Sequence, residues 1–179
     1  MLRVGIFLNV TNQFGALSQK KKGHKVNYDR YLTQFVFDGE KLMMAYAYGD
    51  QVSDEAESFI HALRRMGYLT KFVNSTKDGQ EITHPNRNVE ITVDIMSSCD
   101  RLDIVVLGSN DPELIPLITW LQQKGIKVIV ATPVVLHCEG NSNIDLLTST
   151  DLVENIQSMR ESNRSESNRS ESNRSEGKK

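Results

Sequence analysis

Asp111 and Glu113 stand two residues apart in the segment Gly108-Ser109-Asn110-Asp111-Pro112-Glu113, directly after the apolar run Ile104-Val105-Val106-Leu107. Two carboxylates at such a corner are hard oxygen ligands, of the kind that hold Mg²⁺ or Mn²⁺ against a phosphodiester and let a bound water attack it. Asn9, Thr11 and Asn12 come at the end of the first apolar run, Arg3–Val10, and Lys20-Lys21-Lys22 with His24 and Lys25 form the densest positive charge in the chain. In an open parallel sheet, ligands gather beyond the carboxyl ends of the strands. That rule would collect Asn9, Asn12, Ser109, Asp111 and Glu113 on one rim, with the three lysines as a phosphate-facing arm. Simpler roles compete: Asp111 before Pro112 is an ordinary helix N-cap, Glu113 suits a helix dipole, and a lysine run is often a solvated face.

The elements that must carry these residues follow from periodicity. Arg3–Val10, Leu42–Tyr48, Tyr68–Val73, Ile104–Leu107 and Lys127–Ala131 are short apolar runs ending in Gly, Asn, Asp or Pro, as expected of strands covered on both faces. Residues 13–27 read as a loop. Asn27 caps a helix to about Phe37, and residues 52–66 make the strongest helical pattern, with acids in the first turn, Arg64 and Arg65 in the last and Gly67 after it. Pro112 opens another helix, closed by Gly125. A loop spans Asn74 to Asn86, and a weak helix is expected around Ile144–Leu147. In Val89–Met96 the apolar residues alternate strictly, which predicts a strand, although Asn88 could equally cap a helix there. Strand and helix alternate along the chain, which argues for α/β layering around a parallel sheet.

The chain has 179 residues, 39% hydrophobic and 25% charged, with a formal charge of −2. One domain, residues 1–157, is expected, followed by a tail, 158–179, built on three copies of Glu-Ser-Asn-Arg-Ser that cannot bury a core and should be disordered. The near-neutral charge argues against a protein that coats nucleic acid broadly. No apolar run is long enough to span a membrane and the first ten residues lack a signal-peptide pattern, so a cytoplasmic protein is expected. Cys99 and Cys138 lack zinc or disulfide spacing, the four histidines share no spacing, and Ser109 has no triad partners in sequence order. Neither GxGxxG nor GxxxxGK[ST] occurs, which counts against a dinucleotide or nucleoside triphosphate site.

The first strand with its closing Asn12, GDQVSDEAESFIHALRRMGY, NVEITVDIM, RLDIVVLGSNDPEL and GIKVIV together resemble the NYN domain of the PIN-like ribonuclease superfamily, and within it the bacterial LabA-like proteins, over roughly residues 3–155. The resemblance implies a PIN-like three-layer α/β fold: a central, mainly parallel twisted sheet of about five strands with helices on both faces, and NVEITVDIM as a helix rather than a strand. The family's five acidic positions read here as Asn9, Asn88, Asp94, Asp111 and Glu113. It thus implies Mg²⁺ or Mn²⁺ held by Asp94, Asp111 and Glu113, with Asn9 completing a catalytic group. RNA would be the partner, touched by Asn12, Lys20, Lys21, Lys22 and Ser109. An amide keeps a ligating carbonyl but cannot act as a base. The expectation is therefore either a weakly active metal-dependent ribonuclease or a degenerate RNA-binding relative. The LabA-like resemblance adds an alternative, a non-catalytic regulatory protein acting through a protein partner or a homo-oligomer.

Overall fold

The computed structural model describes residues 1–51, 54–74, 76–77, 80–81, 86–148 and 152–155; the expected tail lies outside them. In chain order the elements are β1 (Leu2–Asn9), α1 (Val10–Lys20), β2 (His24–Val26), α2 (Tyr28–Gln34), β3 (Glu40–Gln51), α3 (Asp54–Met66) and β4 (Leu69–Asn74). There follow β5 (Thr76–Lys77), β6 (Gln80–Glu81), α4 (Arg87–Ser98), β7 (Ile104–Gly108), α5 (Ile115–Gln123), β8 (Lys127–Thr132), β9 (Ser142–Asp145) and β10 (Val153–Asn155). Among the described residues no helix is long and apolar enough to cross a membrane.

Among the described residues six strands form the main sheet in the order β4-β3-β1-β7-β8-β9, and every neighbouring pair is parallel. Burial on both faces explains the continuous apolar runs: all five residues of β7 are buried, as are the last six of β1. On one face Val4, Ile6, Leu8, Ala45, Ala47 and Val106 pack under α1, α2 and α3. On the other, Phe7, Tyr48, Val105, Leu107 and Val130 pack under α4 and α5. The chain winds outward from β1 through β3 to β4, then returns across the other face to β7 and β8. The direction of winding therefore switches between β1 and β7, and a crevice opens there at the carboxyl ends.

Three expectations from periodicity need correction. Residues 13–27 are not a loop: β1 passes directly into α1, because the Asn9 side chain caps the first turn and Val10, Gln13 and Leu17 fall on one buried face. Gln13 stands where a third apolar residue would have betrayed the helix. Residues 144–147 do not form a helix; β9 is a sixth strand, added to the sheet edge with a polar sequence, and Asp145 then turns the chain by accepting from the Leu147 N–H at 2.8 Å. Val89–Met96 lies within α4, as the family resemblance implies and contrary to its alternation. Its odd-numbered apolar residues divide between two sides of the helix, Ile91 and Ile95 inward, Val89 and Val93 outward.

Candidate functional site

The rim at the switch point is assembled by short polar side chains that end strands and begin helices. Asn9 closes β1, is 7% exposed, and accepts through Oδ1 from the Asn12 N–H at 3.0 Å. Asn12 in turn accepts from the Asn110 N–H at 3.1 Å, tying the end of β1 to the turn after β7. Ser109 is fully buried, and its Oγ accepts from the Asp111 N–H at 3.3 Å. Asp111 Oδ1 accepts from the Glu113 N–H at 2.9 Å, capping the 3-10 turn Pro112–Leu114 that leads into α5. The cap role is therefore real, and Asp111 Oδ2 is left over for another partner.

That partner is Asn88, in the first turn of α4. Its Nδ2 donates to Asp111 Oδ2 at 2.8 Å and to Glu113 Oε2 at 3.0 Å, so one amide bridges both carboxylates. Hydrogen bonds to ionised acceptors are the stronger kind. The other end of the amide, Oδ1, is buried and has no donor among the described residues.

Asp94 belongs to a different group. It sits six residues further along α4, which sets it about 120° from Asn88 around the helix and more than one turn along it. Its two oxygens accept from Lys71 Nζ at 2.8 and 2.7 Å, and Oδ2 also accepts from the Tyr48 hydroxyl at 2.7 Å. Burial, first, and then donation to the Asp94 carboxylate push the Tyr48 hydroxyl far above the ordinary tyrosine range. Lys71 also lies 5.6 Å from the centre of the Tyr46 ring, which stacks between Phe7 and Tyr48. Beside this group, buried Arg87 pairs with Asp50 at 3.3 Å and with Glu90.

The structure thus brings Asn9, Asn12, Ser109, Asp111 and Glu113 together, adds Asn88, and separates Asp94 from them. Among the described residues no group of three or more His, Cys, Asp or Glu is arranged to share a metal ion. Lys20, Lys21 and Lys22 are exposed at the far end of α1, which carries Lys20 about 15 Å from the rim. They form no arm over the carboxylates. Sequence reasoning missed Lys71 and Tyr48; the one available signal was a lone lysine among the apolar residues of β4.

A doubly wound sheet with polar residues gathered at its switch point defines a class of α/β domain, and comparison narrows it. The profile of the NYN domain matches residues 3–153, and the chain belongs to that family. The low amplitude and bright protein LabA of Synechococcus elongatus is 28% identical over 138 residues, covering 73% of each chain. A crystal structure of a protein of unknown function from Vibrio parahaemolyticus superposes with a TM-score of 0.70 at 19% identity, covering 86% of this chain and 96% of that one. The fold is PIN-like, with six parallel strands in the main sheet rather than about five.

Proposed function

We propose that this NYN domain engages RNA without cleaving it. The observation that carries this reading is the Asn88 amide: an N–H₂ group occupies the place between Asp111 and Glu113, where a divalent cation would need an oxygen ligand. Asp94, the third expected ligand, already neutralises Lys71. This donor set does not fit a resident Mg²⁺ or Mn²⁺, and no cleavage step follows from it. RNA contact is supported by the family and by Lys20, Lys21, Lys22 and Lys25, which are exposed and make no ion pair among the described residues. The rim and its neighbouring group are a poorer place for phosphate, because Asp111 and Glu113 on the rim, with Asp50, Glu90 and Asp94 beside it, outnumber Lys71 and Arg87.

Fluorescence anisotropy with a labelled single-stranded RNA, run beside a denaturing gel with Mn²⁺, tests both halves. The expected result is salt-sensitive binding with intact RNA. Cleavage that disappears in both Asp94→Ala and Asp111→Ala would restore the ribonuclease reading, and absence of binding would remove RNA altogether.

A further inference from the structure

Helix α4 carries apolar side chains on two opposite sides. Ile91 and Ile95 are fully buried against the sheet, whereas Val89, Val93 and Met96 are 58%, 56% and 47% exposed. Spaced four and three apart, these form one solvent-facing row, half of a helix-to-helix contact. Its amino-terminal end runs into a hollow of about 200 Å³ bounded by Asn86, Thr92 and Glu113. Asp111 and Glu113 have no cationic partner among the described residues.

A complementary surface lies on the opposite face of the sheet. Helix α1 exposes Phe14 at 64%, with Ser18 four residues further on and Lys21, the residue that caps the helix, seven further on. A side chain added at Gly15, next to Phe14, would meet nothing within 4 Å, so another helix can approach closely there. The row from Phe14 to Lys21 and the row from Met96 back to Val89 have the same length, about 10 Å. Aligned antiparallel, they set Phe14 over Met96 and Lys21 beside Val89 at the Glu113 end.

We infer that the outer face of α4 is occupied by α1 of a second copy of this chain, its Lys21 meeting Glu113 and Asp111 and leaving Lys20, Lys22 and Lys25 to RNA. RNA fits this face poorly, since its phosphates would confront the same acids. The two surfaces sit on opposite faces of one sheet, so each molecule uses both at once and assembly runs head to tail, as a chain or a ring. The apolar row is small beside a standard interface, which makes association concentration-dependent, and the charge contacts make it sensitive to salt.

Sedimentation velocity of the full chain, from micromolar to submillimolar concentration, reads this directly. The weight-average sedimentation coefficient rises with concentration at low salt and falls back when salt is added. Val93→Glu stays monomeric. Glu113→Lys and Lys21→Glu each weaken association by roughly tenfold or more through like charge, and mixing the two variants restores it, because each then meets its opposite. A wild-type chain that is monomeric throughout, or association that survives Val93→Glu, overturns the inference. Association lost in Val93→Glu but indifferent to both charge variants indicates a symmetric α4 pair and overturns the role of α1. Loss of RNA affinity in Val93→Glu would give this face to RNA instead.

Discussion

At the scale of single residues, Asn88 decides what the rim can do. Its amino group draws Asp111 and Glu113 together by hydrogen bonding, and a carboxylate in its place would drive them apart by charge. Asn88→Asp replaces two charge-assisted hydrogen bonds with repulsion, a change of about 2–3 kcal/mol. At about 2–4 °C per kcal/mol for a domain of this size, its melting temperature in EDTA should fall by about 5–10 °C. Mn²⁺ should return much of that loss in the variant while leaving the wild type unmoved. Differential scanning fluorimetry with and without Mn²⁺ checks both, and a variant as stable as wild type in EDTA would show that the bridge contributes nothing. Asp111 and Glu113 were legible in the sequence as acids on a corner, but their bridge was not: Asn88 is 23 residues from Asp111, and only the family resemblance linked them. Lys71 is equally far from Asp94 and carries no motif, so its claim on that carboxylate required the fold.

At the scale of elements, five of the six main-sheet strands were readable, while β9 and two helices were not, for reasons that differ. A parallel strand covered on both faces has no polar side to interrupt it, so β1, β7 and β8 announce themselves as continuous apolar runs. Helix α1 hides because a buried glutamine, donating to the Ala131 carbonyl at 3.0 Å, replaces an apolar contact. Helix α4 hides because two apolar rows half a turn apart mimic the period of a strand. The starts of β1 and β7 are clamped by a bidentate pair: Arg3 donates to Asp103 at 3.0 and 2.9 Å, and the Arg3 backbone N–H adds a third bond at 2.8 Å. Those bonds hold the Asp103 carboxyl at about 2, below its ordinary 3.8. A lowered folded value means that the clamp stabilises fully above the ordinary range and that its contribution is lost as pH falls from about 4 through about 2. Asp103→Asn should therefore be less stable than wild type at neutral pH, and the gap should close across that window. Urea midpoints measured at successive pH values would show it, and a gap independent of pH would assign the effect to packing.

At the scale of the whole molecule, charge is divided between two ends. Acids collect at the carboxyl rim of the sheet, and Lys20, Lys21 and Lys22 sit at the far end of α1. The near-neutral total of −2 concealed this polarity, because opposite patches cancel in a sum. If RNA phosphates meet the lysines, each contact contributes about 0.7 to the slope of log affinity against log salt for a single strand. Replacing all three lysines by alanine should then lower that slope by about 2, whereas Asp111→Ala should leave it unchanged; a slope indifferent to the lysines would place the phosphates elsewhere.

The double-sided helix α4 also bears on how the chain reaches its fold. Taken alone, Val89–Met96 satisfies the pattern of a strand as well as that of a helix, and β-branched residues at 89, 91, 92, 93 and 95 favour the extended form. What settles the matter is the sheet, which offers Ile91 and Ile95 a face to cover. Helix α4 should consequently be a late element, formed only after β1, β3 and β7 have paired. A peptide of residues 86–101 in water should show little helix by circular dichroism and gain β-structure as its concentration rises; a helical peptide would mean that this segment carries its conformation within itself.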